Sequence, residues 1–289
     1  MKILILGSNG FIGSNFNKFL RQKNCEVYEL NRKDCNFLNK DDFFKKIKTI
    51  NPLYIINSAG YTGKPNVDAC ELNKESCWNG NITLVKYLSN ICHDLNIRYV
   101  QISSGCIYTG TKNKNGFTEL DEPNFSFDHQ PCSYYSGTKA VMEDVLKCDY
   151  NAYICRLRIP FNNIANPKNY ITKLINYNKL LNATNSLTNI DDFLNACFYL
   201  LKNNIDTGIY NVTNTGSITT KEITKLISKH IIDKQFSFFK NEDEFYSIAA
   251  KTPRSNCVLD NTKLQKTGFK IEDVKESILK SIKNYTTAK

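Results

Sequence analysis

No apolar run in the chain approaches the ~20 residues needed to cross a bilayer. The first apolar stretch, Ile3–Leu6, meets Gly7 after four residues, too short for the core of a signal peptide. These two absences predict a cytoplasmic protein with no membrane contact. No Cys-x-x-Cys pair occurs among the eleven cysteines, and the spacing from Cys70 to Cys77 is too wide for one arm of a zinc site. No metal is expected, and most of the cysteines read as buried thiols in a reducing compartment. Histidine is scarce: His93 and His230 fall in helical patterns, and only His129 lies near a motif. Acidic residues are also short, 28 against 38 Lys plus Arg, leaving a net charge of +10 over 289 residues. The excess is spread thinly. Its densest clusters are Lys45-Lys46-Ile47-Lys48 and Lys112-Asn113-Lys114, and no helix-turn-helix, zinc finger or aromatic-basic pattern accompanies them. Nucleic-acid binding is therefore not expected, although a basic surface would attract a phosphate-bearing small molecule.

What is present is an alternation of strand and helix. Lys2–Leu6 is a short apolar run, and Phe11–Lys23 follows with Ile12, Phe16, Phe19 and Leu20 on one helical face. Glu26–Leu30 reads as a strand, Asp41–Ile50 as a helix and Leu53–Asn57 as a strand. Val67–His93 then reads as one long helical region, with Arg98–Ser103 the next strand. This order predicts a Rossmann-type α/β fold, a doubly wound parallel sheet covered on both faces. Tyr153–Pro160 is one more expected strand. Beyond it the alternation becomes irregular, and Pro160–Asn189, rich in Asn, Lys and Tyr, suits a region built around a ligand. Helices are expected over Ile190–Lys202, Thr219–His230 and Ile271–Tyr285, with Ile209–Val212 a strand. The expected division is a cofactor-binding lobe over 1–160 and a smaller substrate lobe over 161–289, with 190–215 returning to the first.

Gly7-x-x-Gly10-x-x-Gly13 sits between the first strand and the first helix, where glycines permit a tight turn and close approach to a pyrophosphate. A dinucleotide is the expected ligand. The second strand ends Glu29-Leu30-Asn31-Arg32-Lys33, with Asn31 where an NAD binder usually has a carboxylate. Arg32 would welcome a 2′-phosphate, so NADPH is expected ahead of NADH. Tyr135 and Lys139 are four apart, hence on one helical face. A tyrosine with pKa about 10 needs a shift of roughly 3 units to work near neutrality, and a lysine one turn away supplies part of it. Tyr285 and Lys289 repeat the spacing at the tail, as chance allows.

The order of the glycine motif, Asn57-Ser58-Ala59-Gly60, Ser103-Ser104 and Tyr135-x-x-x-Lys139 resembles the extended short-chain dehydrogenase/reductase family. Gly105-Cys106 follows Ser104, where sugar-nucleotide 4,6-dehydratases carry Asp-Glu; dehydratase chemistry is thereby excluded. Further strings resemble the nucleotide-rhamnose synthase/epimerase-reductases: Ser58-Ala-Gly-Tyr-Thr-Gly-Lys-Pro-Asn-Val-Asp68, Asp121-Glu-Pro-Asn-Phe125, Asn166-Pro-Lys-Asn-Tyr-Ile-Thr-Lys173, Asn185-Ser-Leu-Thr188 and Pro253-Arg-Ser-Asn256. That resemblance implies conversion of UDP-4-keto-6-deoxy-glucose to UDP-rhamnose by inversion at C3 and C5 and reduction at C4. It implies Ser104, Tyr135 and Lys139 as the reductive set, with Lys139 lowering the Tyr135 pKa. It implies Cys106 and Lys173 as the acid/base pair for inversion; a surface role for Lys173, with Lys179 in its place, is the plain alternative.

The resemblance further implies cofactor contacts at Gly7, Gly10, Phe11, Ile12, Gly13, Asn31, Arg32, Ala59, Gly60, Tyr61, Tyr135 and Lys139. Asn169 and Arg254 are candidates for the nucleotide diphosphate, and a surface salt bridge is the plain alternative for Arg254. A separate 4,6-dehydratase would supply the substrate, and a homodimer through the long helices is common in this fold. The competing readings are a dTDP-4-keto-rhamnose reductase without epimerase activity, a GDP-fucose synthase, and a non-catalytic regulatory subunit. A reductase alone has no need of Cys106, and a regulatory subunit has no need of Ser104, Tyr135 and Lys139.

Overall fold

The computed structural model describes residues 1–113 and 115–286. Lys114 of the second basic cluster and Lys289 of the tail pair lie outside the described residues.

The first half of the chain alternates as its pattern predicts: β1 (Lys2–Leu6), α1 (Phe11–Gln22), β2 (Glu26–Leu30), α2 (Lys40–Ile50) and β3 (Tyr54–Asn57). The expected helix over Val67–His93 is not continuous. It divides into α3 (Ala69–Leu72), α4 (Lys74–Trp78), a π-helical turn (Asn79–Thr83) and α5 (Leu84–Asp94). Two asparagines account for the breaks. Asn73 turns its amide back onto the Ala69 carbonyl (2.9 Å), and Asn81 spends its side chain on both backbone groups of Tyr61. β4 (Arg98–Ser104) runs into a short 3₁₀ turn, Gly105–Ile107, and α6 (Tyr134–Val145) leads to β5 (Ala152–Leu157). β5 stops short of the expected Pro160 because Ile159 takes φ 40°, a left-handed conformation that breaks the strand.

The remaining elements are short until α8: β6 (Pro160–Phe161), α7 (Tyr170–Asn176), β7 (Lys179–Leu180), β8 (Thr184–Asn185) and β9 (Thr188–Asn189). Then come α8 (Ile190–Lys202), β10 (Gly208–Asn211), β11 (Ile218–Thr219), α9 (Thr220–His230) and β12 (Ser237–Phe238). α10 (Glu242–Ile248), α11 (Thr262–Lys266) and α12 (Val274–Lys283) complete the order. α12 starts later than its apolar period because Asp273 caps it, accepting from Lys275 N.

Six parallel strands form the main sheet in the order β10-β5-β4-β3-β1-β2. Along β1 the side chains alternate. Leu4 and Leu6 pack with Phe43, Leu88 and Ile91 on one face, while Ile3 and Ile5 pack with Phe16, Phe193 and Leu200 on the other. Both faces are covered, which is why this strand reads as a continuous apolar run. A separate core of Phe161, Ile171, Leu187, Ile223 and Ile278 builds a smaller C-terminal lobe with three two-stranded sheets. A fourth, small cluster joins Cys106, Tyr108, Phe117, Cys257 and Leu259 where the two lobes meet.

Candidate active site

The glycine loop at the end of β1 is shaped by contacts that leave no room for side chains. Gly7 takes φ 73°, and a Cβ on Gly13 would fall 2.2 Å from the Gly7 carbonyl oxygen. α1 therefore begins tight against the strand end, with no side-chain cap and no acidic residue in its first turn. Its N-terminal amides and dipole are thus left uncapped for an anion to use. This fits a dinucleotide pyrophosphate. Asn31 lies beside the loop, but its side chain exchanges hydrogen bonds with Ser8 Oγ and accepts from Asn9 N, so it braces the loop. Arg32 is exposed and donates to the Gly60 carbonyl at 3.2 Å. The segment Ala59-Gly60-Tyr61 is held in turn by Asn57 (to Ala59 N, 3.1 Å) and Asn81 (to Tyr61 N, 2.8 Å).

One strand further along, β4 delivers Ser104 to the carboxyl end of the sheet, where open α/β sheets bind ligands. Ser104 Oγ accepts from Cys106 N at 3.2 Å, which closes the turn and fixes the thiol beside it. α6 starts at Ser133, whose hydroxyl accepts from Ser136 N, and carries Tyr135 in its first turn and Lys139 one turn later. Gly137 lets the helix approach the Phe127 ring, which would meet a Cβ there at 2.2 Å. Tyr135 packs against the buried cluster that holds Cys106. Ser104, Cys106, Tyr135 and Lys139 are thus gathered at one place.

Burial dominates the electrostatics of that place. It holds the Tyr135 phenol well above its ordinary value, with the neighbouring thiols adding to the rise and the Ser104 hydroxyl pulling the other way. The Lys139 ammonium is aimed at the Ile102 carbonyl, 3.0 Å away, and its own charged form is disfavoured by burial. The Cys106 thiol is also pushed up by burial, against the pull of Ser104, Ser136, Arg158 and Lys139.

Lys173 sits on α7, its pKa lowered by burial and then by Lys168, and among the described residues its ammonium has no hydrogen-bond or ion-pair partner. Lys179, its rival, is bound to Glu244. Asn169 is placed otherwise than expected. It is fully buried, its oxygen caps α7 at Ile171 N (3.0 Å), and its amide donates to Asn162 and Ile164, so no polar atom is left for a diphosphate. Arg254 borders a cleft of about 580 Å³ with Thr109, Asn124, Gln130 and Tyr246, but its guanidinium is paired with Asp68 at 2.8 Å. His129 is exposed and touches Ser126. Among the described residues no group of three His, Cys, Asp or Glu is arranged to hold a metal, and no helix is long and apolar enough to cross a membrane.

Four residues that the motifs did not single out shape the site. Asn81 fixes the Tyr61 loop and donates to Thr138 on α6. Arg156 and Glu143 form a buried ion pair beneath it. Arg158 is buried at the end of β5. Two arginines at alternate positions of an otherwise apolar strand were the available signal, since a buried charge always needs a reason.

Compared with known proteins, residues 1–287 match the family described as the RmlD substrate binding domain. The chain belongs to that family. Its resemblance to the extended short-chain dehydrogenase/reductases, and within them to nucleotide-rhamnose epimerase/reductases, stands with that membership. One relative is an Arabidopsis thaliana trifunctional UDP-glucose 4,6-dehydratase/UDP-4-keto-6-deoxy-D-glucose 3,5-epimerase/UDP-4-keto-L-rhamnose-reductase. It is 33% identical over 287 residues, 97% of this chain but 41% of that protein, so the chain spans about two fifths of its length. A bifunctional dTDP-4-dehydrorhamnose 3,5-epimerase/dTDP-4-dehydrorhamnose reductase of the same plant is 33% identical over 288 residues, covering 96% of this chain and 91% of that one. Among solved structures, the crystal structure of a UDP-rhamnose synthase from Acanthamoeba polyphaga mimivirus superposes with a TM-score of 0.90 at 27% identity, over 98% of this chain and 99% of that one.

Proposed function

We propose that the protein is a bifunctional 3,5-epimerase/4-reductase that converts UDP-4-keto-6-deoxy-D-glucose to UDP-L-rhamnose with NADPH. The observation that carries this reading is Cys106 in the same buried cluster as Tyr135, one 3₁₀ turn from Ser104. A reductase needs Ser104, Tyr135 and Lys139; a thiol packed among them adds proton exchange at carbon. C3 and C5 flank the C4 ketone, so a base that takes either proton sends the C–H electron pair into the C4 oxygen. Ser104 and Tyr135 would hold that oxygen by hydrogen bonds, and return of a proton to the opposite face completes the inversion. Cys106 and Lys173 are the groups assigned to this exchange. Burial favours neutral Lys173, which keeps it able to accept a proton and to return one.

The bare N-terminus of α1 and the glycine loop would hold the dinucleotide, and exposed Arg32 beside Gly60 favours a 2′-phosphate. The nicotinamide, when bound, supplies the hydride that C4 takes. Tyr135 then delivers its proton to the C4 oxygen, and its raised pKa keeps that proton available. Lys139, buried one turn away, would face the nicotinamide ribose. Arg254 at the cleft would share its charge between Asp68 and a nucleotide diphosphate. A 4,6-dehydratase, separate or joined to this one, would supply the keto sugar.

The test is product analysis by NMR after incubation with UDP-4-keto-6-deoxy-glucose and either NADPH or NADH, with the dTDP sugar in parallel. UDP-rhamnose from the wild type, faster with NADPH, and loss of C3/C5 inversion in Cys106→Ala are expected. Reduction at C4 with both neighbouring stereocentres unchanged would leave a plain reductase and overturn the epimerase half.

A further inference from the structure

Arg158 is a buried charge without a counter-charge. Its side chain is 7% exposed, and among the described residues no carboxylate lies within ion-pair distance. Arg156, two residues earlier and still on β5, is buried too but is neutralised by Glu143. Arg158 instead donates through Nη2 to Asn185 Oδ1 at 2.7 Å and to the Ser255 carbonyl, both uncharged. Its Nε is sealed from solvent and has no partner at all. A guanidinium in this condition is costly, since several kcal/mol of desolvation go uncompensated by any anion.

Its position says which anion it serves. Leu157 pairs in register with Ser104, so Arg158 emerges at the carboxyl end of β5 directly beside the start of the Cys106 turn. Ile159, β-branched at φ 40°, turns the chain sharply after it, the kind of strain that persists where surrounding contacts enforce it. Asn185 Oδ1, which takes the Arg158 hydrogen bond, also accepts from Cys257 N at 3.0 Å. Cys257 Sγ in turn donates to the Gly105 carbonyl at 3.1 Å, the residue next to Cys106. The guanidinium is therefore wired into the turn that carries the thiol. The other titratable groups facing Cys106 are Tyr135 and Lys139 on α6, Cys132 just before that helix, and Cys257. Of the two cations, Lys139 has its charge disfavoured by burial, while an arginine stays protonated.

We propose that Arg158 is the positioning residue of Cys106, a fixed buried positive charge that keeps the thiolate available to take a proton from carbon. The inference rests on the reading of Cys106 as a proton-exchanging thiol. It also accounts for a guanidinium left with an open Nε at the mouth of the sheet.

The experiment is a thiolate titration by absorbance at 240 nm, taken as the difference between each protein and its Cys106→Ser counterpart. This isolates one thiol of eleven and needs no substrate. In Arg158→Gln, which keeps an amide for Asn185 and Ser255, the Cys106 transition should move up by about one pH unit, a roughly tenfold loss of thiolate near neutrality. In Arg158→Lys, which keeps the charge and loses the fork, it should stay near the wild-type midpoint. Coincident midpoints for wild type and folded Arg158→Gln would overturn the proposal. So would an upward shift in folded Arg158→Lys equal to that of the glutamine variant, because a hydrogen-bonding scaffold would then be the whole role. Failure of the wild type to make UDP-rhamnose, with the titration shifting as expected, would sink the substrate assignment and leave Arg158 standing.

Discussion

The buried Arg156–Glu143 pair gives the sharpest stability prediction. The Glu143 carboxylate accepts from Arg156 Nη2 at 2.6 Å and Nε at 3.0 Å, and from Ser103 Oγ at 2.5 Å, with both charged side chains at least 95% buried. Glu143→Gln preserves size and replaces one acceptor oxygen with a donor facing other donors. It also strands the Arg156 charge, whose remaining contacts are Asn211 Oδ1 at 3.4 Å and the Tyr108 ring. Breaking one side of a buried pair costs about 3–5 kcal/mol. Total stability is about 5–15 kcal/mol, so the substitution should lower Tm by on the order of 10 °C. Urea denaturation followed by far-UV circular dichroism at pH 7 measures it. The double variant Glu143→Leu/Arg156→Met should recover part of the loss, because it buries no unpaired charge. A loss below about 1 kcal/mol, or a double variant no better than the single, would refute the reasoning. Activity should fall as well, since Glu143 is one turn beyond Lys139 and Ser103 precedes Ser104.

Two further outcomes follow from the geometry. Gly13→Ala sets a Cβ 2.2 Å from the Gly7 carbonyl and 2.5 Å from Ser58 Oγ, so α1 must move off the strand end; NADPH affinity measured by fluorescence should fall more than tenfold, and unchanged affinity would refute the tight-loop account. Glu222, in a capping box with Thr219 and bridged to Lys275, has its pKa lowered to about 2, first by Lys275. Its stabilisation is present above the ordinary value of 4.5 and is lost as pH falls toward 2. Glu222→Gln should therefore cost about 1 kcal/mol at pH 7, with the Tm difference from wild type shrinking below pH 4.5, and a constant difference would count against the linkage.

The regular elements were legible because central strands such as β1 and β5 are buried on both faces and the longer helices on one, so the apolar pattern reports the packing directly. α8 shows this best: Ile190–Lys202 is expected and found, capped by Asn189 and opened by Asp191 and Asp192. Reading failed where a polar side chain does structural work over a distance. Asn73 and Asn81 break the helix before β4 through bonds that no periodicity encodes. Asn169 drew a ligand role from its surroundings, although an asparagine just before an apolar helical turn is also an N-cap signal. Tyr135 and Lys139 are on one face as their spacing requires, but the spacing could not tell that the ammonium reaches Ile102. The location of Cys106 was legible as a strand end; the unpaired Arg158 beside it depends on the register of β4 with β5, which no single segment contains.

That register bears on how one site could serve two reactions. Ser104 and Lys139 stand on the main sheet and α6, while Tyr135, also on α6, packs against the cluster that includes Cys257 and Leu259. The Cys106 turn is held from both sides. Cys257 reaches Gly105, Ser255 Oγ donates to the Tyr108 carbonyl at 2.5 Å, and Gly110 N donates to the Asn256 carbonyl at 2.8 Å. Thr252 Oγ1 ties the same segment to Glu71, which also accepts from Tyr134 N at the start of α6. A disturbance of residues 252–257 should therefore reach both the Cys106 turn and the start of α6 that carries Tyr135. If the proposed reading holds, inversion and reduction would both depend on this segment, because Cys106 and Tyr135 share the cluster that Cys257 and Leu259 complete.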